Sequence, residues 1–362
     1  MSELYFDHHA STPLDPRVRD AMQALQGASL GNPSSPHAAG RRARAIVEKA
    51  RAQVAAAVNA QPAEVVFTSG GTEACNLGVL GLAASEGAVV TTAIEHPAVA
   101  ESIASLRGHE VRYLQPSDDA RTMLASAALL AAQSVNHETG TILPTERWCV
   151  AATDRGVRSF VDATQALGKI GIDFETSSAS AIALASHKIG GPAGAGALIV
   201  RRSMPLEPRM LGGAQERGLR AGTPDVIAIA GFGVACTLVG ARLGAMDRIA
   251  AMRDRIEAVL VARGAVVNGE SPRVATVVDA SMIGWRSPTL VAALDLEGLC
   301  VASGAACSSG VEKPSPVVLA LTQGDSARAS SAIRISLGVE TTDQDVTRAI
   351  AILDRVLARS PA

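Results

Sequence analysis

Lys188 stands in the run Ala185-Ser186-His187-Lys188-Ile189-Gly190-Gly191-Pro192, directly after the apolar stretch Ser180-Ala181-Ile182-Ala183-Leu184. Asp162 closes a second such stretch, Phe160-Val161-Asp162, and is followed by Ala163-Thr164-Gln165. Only four lysines (Lys49, Lys169, Lys188 and Lys313) occur among 33 basic residues. A lysine kept at the end of a buried strand, against a glycine-rich turn, is badly placed for solubility and well placed for chemistry. An amine that condenses with a carbonyl, with an acid to hold a pyridinium nitrogen, is the protein side of pyridoxal phosphate (PLP) catalysis. The pair alone discriminates little, because one Lys and one Asp so spaced arise by chance in many α/β proteins.

Four other places could carry chemistry. In Phe67-Thr68-Ser69-Gly70-Gly71-Thr72-Glu73-Ala74 a strand gives way to small residues and then a helix. Backbone amides at a helix N-terminus, with Ser and Thr hydroxyls, form an anion cradle. The run is neither Gly-x-Gly-x-x-Gly nor a Walker loop, so dinucleotide and nucleotide-triphosphate binding lose ground; an ordinary capped turn would read the same. His96, in Ile94-Glu95-His96-Pro97, follows the next strand and would face the crevice at the carboxyl ends of a parallel sheet. There it could stack on a flat cofactor, move protons near neutral pH, or simply start a helix. Cys307 lies in Val301-Ala302-Ser303-Gly304-Ala305-Ala306-Cys307-Ser308-Ser309-Gly310, almost all Gly, Ala and Ser, where a thiol can reach, attack and withdraw. Arg334, inside the apolar run Ala332-Ile333-Arg334-Ile335-Ser336, is costly to bury unpaired. It meets either a substrate carboxylate or an internal acid.

Apolar strands alternating with alanine-rich amphipathic helices must position these groups. Glu64–Thr68, Ala88–Thr92, Arg158–Asp162, Ala181–Leu184 and Ala197–Val200 read as strands buried on both faces, with helices at Arg41–Val58 and Thr72–Ala84 between them. This is an α/β pattern, a doubly wound, mostly parallel sheet. From about Asp247 the pattern changes: a helix Asp247–Arg263, a strand Val274–Val278, a helix Pro288–Leu296 and a closing helix Thr342–Leu357 predict a smaller α+β domain. A chain of 362 residues exceeds usual single-domain size, and its 48% apolar content supports a substantial core.

Composition narrows the class. A net charge of -2 without a basic block predicts no nucleic-acid partner, and no apolar run reaches about twenty residues, so no membrane partner is expected. The N-terminal Met1-Ser2-Glu3-Leu4-Tyr5 lacks the look of a signal peptide. Five cysteines, none in a Cys-x-x-Cys pair, suit reduced thiols rather than disulfides or a metal site. A soluble cytoplasmic protein is expected.

Taken in order, Gly31-Asn32-Pro33-Ser34-Ser35, Thr68-Ser69-Gly70-Gly71-Thr72-Glu73, Glu95-His96-Pro97, Asp162-Ala163-Thr164-Gln165 and His187-Lys188 resemble NifS/IscS-type cysteine desulfurases. Gly213-Ala214-Gln215-Glu216-Arg217-Gly218-Leu219-Arg220-Ala221-Gly222-Thr223, the Cys307 loop and Arg334 continue the resemblance, which runs from Tyr5-Phe6-Asp7 to about Leu357. It implies PLP-dependent transferase fold type I, as in class V aminotransferases, and a homodimer. The large PLP domain would span 15–245, and a small domain 1–14 with 246–362. It further implies L-cysteine as substrate, with alanine and a Cys307 persulfide as products. Lys188 would hold PLP covalently, Asp162 its pyridine nitrogen, and Gln165 its phenolic oxygen, with His96 stacked on the ring. Gly71, Thr72, Ser186 and His187 would hold the phosphate, with Thr223 reaching it from the partner subunit. Asn32 and Arg334 would hold the substrate carboxylate.

Two positions depart from that pattern. His137, in Val135-Asn136-His137-Glu138-Thr139-Gly140, stands where the family has a second Asn contacting the phenolic oxygen, a bond an imidazole can also donate. Ala185 stands where a phosphate-binding serine is usual, beside Ser186. The chain also ends soon after its last helix, whereas in the family a longer C-terminal region helps dock an iron–sulfur scaffold protein. That acceptor is therefore less firmly implied than desulfuration. Two alternatives remain: a class V aminotransferase or selenocysteine lyase on another small amino acid, and a degenerate, non-catalytic member.

Overall fold

Seven short strands end at or just before several of the residues singled out above. In the computed structural model, which describes residues 3–304 and 313–359, they are β1 (Val65–Thr68), β2 (Ala88–Thr91), β3 (Val111–Tyr113), β4 (Ala127–Gln133), β5 (Ser159–Asp162), β6 (Ala181–Ala185) and β7 (Gly196–Val200). They form one sheet in the order β1-β7-β6-β5-β4-β2-β3. Only β7 is reversed: it pairs antiparallel with β1 and β6, and all other pairings are parallel. Every residue of β1, β2, β5, β6 and β7 is buried, as expected of strands with helices on both faces. Phe160, Leu129 and Leu198 lead the apolar cluster on one face, packed under helices Gly71–Leu82 and Pro97–Ser105.

Two strands of this sheet are not apparent from the sequence. Ala127-Ala128-Leu129-Leu130-Ala131-Ala132-Gln133 has the composition of a helix, and its place between β2 and β5 overrides that weak preference. Val111–Tyr113 is an exposed three-residue edge strand, too short to show a period.

The sheet, with Pro13–Ser134 and Leu143–Ala241, makes one compact unit; Met1–Thr12, Val135–Ile142 and Arg242–Ala362 make the other. The second unit is built on a four-stranded antiparallel sheet in the order Ala302–Ser303, Ala332–Ser336, Val277–Ser281, Val266–Val267. Helices Met246–Ala262, Ser287–Leu296 and Asp343–Leu357 contribute Ile256, Leu290 and Leu353 to its core, against Ile333 and Ile335. Leu4–Tyr5 pairs in parallel with Leu299–Cys300, which ties the N-terminal segment in. The strand expected at Val274–Val278 instead begins at Val277 and continues to Ser281. Its second half contains Asp279 and Ser281, polar residues that are fully buried, so the apolar run understates it.

Candidate active site

Three parallel strands of the larger unit end together, and their carboxyl ends supply the candidate residues. Asp162 is the last residue of β5, buried, with its Oδ1 accepting the Thr164 N–H at 2.9 Å. Beyond β6 the chain turns through a short 3-10 segment, Ser186–Lys188, which leaves His187 and Lys188 half-buried. His96 follows β2 and caps the helix Pro97–Ser105, its Nδ1 accepting the Ala98 N–H at 3.0 Å. A neutral imidazole bonded that way carries its proton on Nε2.

The charges show that these groups share one space. Burial lowers the His96 pKa, Asp162 opposes that shift, and the Lys188 ammonium adds to it. Burial, with Lys188 and Lys169 beside it, pushes His187 down to about 4. Both rings are therefore neutral at pH 7, suited to stacking and hydrogen bonding rather than to counter-charge. Lys169, also buried, donates from Nζ to Gln165 Oε1 at 2.9 Å.

Behind Asp162 lie two groups that the sequence did not point to. Cys75 is buried, and desolvation, with Asp162 and Glu95 nearby, pushes its thiol well above the usual range. Glu95 is buried too; its Oε1 accepts from Thr92 Oγ1 at 2.5 Å and from the Gln133 N–H at 3.1 Å. Desolvation pushes its carboxyl to about 8, against those hydrogen bonds and with the help of Asp162. Cys75 and Glu95 are therefore both neutral at pH 7. Adjacency to His96 was the only available signal for Glu95; Cys75 reads as ordinary helix core.

A cradle for an anion adjoins this cluster. Helix Gly71–Leu82 begins with Gly70 as its cap and no side-chain cap bond, so its first amides remain for a ligand. A Cβ on Gly71 would come within 2.9 Å of Thr164 Cγ2 and 3.2 Å of Ala185 Cβ, so only glycine keeps that hollow open. Ala185 turns its methyl group to this hollow. The Ser186 hydroxyl is aimed elsewhere: a Cβ on Gly191 would lie 2.1 Å from its Oγ. Thr72, at the start of the same helix, is exposed. An open helix N-terminus beside a buried acid, a half-buried lysine and two neutral imidazoles fits a phosphorylated pyridine aldehyde.

The remaining candidates lie elsewhere in the chain. Asn32 and Thr223 are exposed loop residues of the same unit; Asn32 Oδ1 accepts the Ser34 N–H at 2.9 Å. Arg334 and His137 belong to the smaller unit. There Arg334 is 4% exposed, donating from Nη1 to the His137 carbonyl at 3.0 Å and from Nη2 to Asp7 Oδ1 at 2.8 Å. Its Nε has no hydrogen-bond partner among the described residues. The internal acid anticipated for Arg334 is therefore present, and a donor remains. Cys307 lies outside the described residues.

Comparison with known proteins was consistent over the whole length. The family model for class-V aminotransferases matches residues 4–349. An IscS-like cysteine desulfurase of Mycobacterium tuberculosis is 38% identical, over 98% of this chain and 96% of that protein. Among solved structures, a NifS-like protein superposes with a TM-score of 0.91 at 29% identity, covering 98% of this chain and 99% of its own. SspA, solved in complex with cysteine, gives 0.80 at 29% identity, covering 93% and 99%.

Proposed function

The chain belongs to the class-V aminotransferase family, with cysteine desulfurases as full-length relatives, and from that premise we propose that it is a PLP-dependent desulfurase of L-cysteine. The observation that carries the reading is the meeting of His96, Asp162 and Lys188 beside the open helix N-terminus at Gly71. When bound, PLP supplies an electron sink for the carbon skeleton of the substrate. Lys188 Nζ holds the cofactor and moves protons at the substrate carbons. The Asp162 carboxylate holds the ring-nitrogen proton, His96 covers the ring, and Gln165 and His137 donate to the phenolic oxygen. Gly71, Thr72 and His187 bind the phosphate, with Thr223 contributed across a homodimer, while the Ser186 hydroxyl, aimed toward Gly191, takes no part. Asn32 and Arg334 orient the substrate carboxylate.

Cys307 Sγ takes the sulfur. A new S–S bond forms as the substrate C–S bond breaks, the C–S pair passes to carbon, and carbon takes a proton to give L-alanine. A free thiol titrates near 8.5, so only a few per cent would be thiolate at neutral pH without help, which the Lys188 amine supplies. The persulfide passes to a sulfur-accepting protein, an iron–sulfur scaffold being one such acceptor, in the cytoplasm. Among the described residues no helix is long and apolar enough to cross a membrane.

The test is Cys307→Ser. That variant should still bind L-cysteine, seen as a change in the visible spectrum, while sulfide release falls roughly a thousandfold or more and no persulfide forms. Product formation from L-cysteine near the parent rate would replace this reading with an aminotransferase one.

A further inference from the structure

We propose that Glu138 is the positioning residue of the carboxylate site: it stores a proton beside Arg334, leaving the guanidinium its charge for the substrate carboxylate. The inference rests on the reading of Arg334 as the substrate anchor.

Glu138 sits in the turn between Val135 and Ile142, whose backbone is fixed by Asn136. Asn136 Oδ1 accepts from the Glu138 N–H at 3.0 Å and the Thr139 N–H at 2.8 Å. This directs the Glu138 side chain inward, where it is 1% exposed. Its Oε2 accepts from Ser315 Oγ at 2.5 Å, and a Cβ on Gly304 would lie 2.6 Å from the same oxygen. Its Oε1 lies 3.7 Å from His137 Nε2. The carboxyl is thus walled by Gly304, Ser315 and His137, and a larger residue than glycine at 304 would displace it.

Arg334 is the main nearby cation, and acids crowd it. Asp7 bonds its Nη2, and Asp279 lies directly opposite it on the neighbouring strand, fully buried. Asp279 Oδ1 accepts from Asn268 Nδ2 at 2.7 Å, while Oδ2 has no hydrogen-bond partner among the described residues. Arg328 also acts on Asp279, bonding Asn268 through its Nε. Were Asp7, Glu138 and Asp279 all ionised, their three negative charges would exceed the two positive charges of Arg334 and Arg328, and a further carboxylate would be repelled. One retained proton removes that excess. Burial, with Asp279 adding to it and Ser315 and Arg334 opposing, pushes Glu138 up to about 8; burial raises Asp279 as well. Glu138 is therefore neutral at pH 7 and ionises as pH rises through about 8.

The experiment compares the parent holoenzyme with Glu138→Gln between pH 7 and pH 9. The amide keeps shape and hydrogen bonding but cannot ionise. The parent-to-variant ratio of KM for L-cysteine, which cancels titration of the substrate itself, should be near one at pH 7 and rise about tenfold by pH 9. The ratio of kcat should stay flat. A difference infrared spectrum should show a protonated carboxyl band in the parent that fades over the same range and is missing from the variant. Ser315→Ala, which removes a bond favouring the ionised form, should move the KM rise to higher pH and serves if Glu138→Gln fails to fold. A flat KM ratio, or Glu138 already ionised at pH 7, overturns the proposal. No turnover of L-cysteine at any pH with the carboxyl band intact would instead sink the desulfurase reading and leave the proton on Glu138 standing.

Discussion

Lys169 and Lys188 both act on His187, and the imidazole distinguishes neither. Their surroundings do. Lys169 is buried with Nζ committed to Gln165, whereas Lys188 follows the end of β6 beside His96, where a ligand at the strand ends would lie. Lys188→Ala should therefore fold normally and retain no cofactor fixable to the chain by borohydride, with turnover reduced by several orders of magnitude. Mass mapping of the reduced parent should find the cofactor on Lys188, and a label on Lys169 would reassign the amine. The strand-end placement of Lys188, Asp162 and His96 is legible in the sequence because each directly follows an apolar run. Glu95 and Cys75 are not, because nothing in a linear sequence says which buried groups lie behind Asp162.

At the scale of elements, the segment leading to Thr223 is held by an ion pair to the central sheet. Arg51, on helix Ala38–Ala57, meets Glu216 at 2.7 Å with both side chains almost fully buried. Arg51 Nη1 also donates to the Val65 carbonyl, and Glu216 Oε2 accepts the Phe67 N–H at 2.9 Å, so both partners bond β1. Glu216 and Arg217 adopt φ of 45° and 59°, a left-handed conformation that ordinary residues resist unless held. Glu216→Ala would leave Arg51 buried without its main partner, a loss of about 3–5 kcal/mol, read from urea denaturation. A loss under about 1 kcal/mol would mean that the pair does not pin the segment. In the sequence, Gln215-Glu216-Arg217 reads as part of a ligand-binding motif; the structure gives Glu216 a supporting role.

For the whole molecule, buried titratable groups set opposing limits on stability. Glu95 titrates near 4.5 when unfolded and about 8 when folded, so the native state holds the extra proton between those values. Its stabilising contribution is full below about 4.5 and is lost as pH rises toward 8; Glu138 acts in the same sense. His187, lowered from 6.5 to about 4, does the reverse: its protonation in the unfolded chain costs stability as pH falls through that window. Thermal stability should therefore peak at mildly acidic pH. Glu95→Gln, which cannot ionise, should flatten the decline between pH 6 and 8 by roughly 1.4 kcal/mol for each pH unit the proton was retained. An unchanged melting profile would show that Glu95 is ionised in the native state.

The sequence by itself determined the class of fold and which candidate residues follow its strands, because both are written locally. Short apolar runs alternating with amphipathic helices specify strands and crossovers, and the residues ending those runs fall at the carboxyl edge of a parallel sheet. The resemblance of the ordered motifs supplied the family, which the full-length match bears out. What only the tertiary structure decided concerns neighbours distant in sequence. It made Ala127–Gln133 a strand by enclosing it, and it turned the Ser186 hydroxyl toward Gly191 while aiming the Ala185 methyl at Gly71. It also gathered Asp7, Glu138, Asp279 and Arg334 from four separate segments. Protonation and burial depend on which groups share a low-dielectric space, and that is fixed by packing, not by order along the chain.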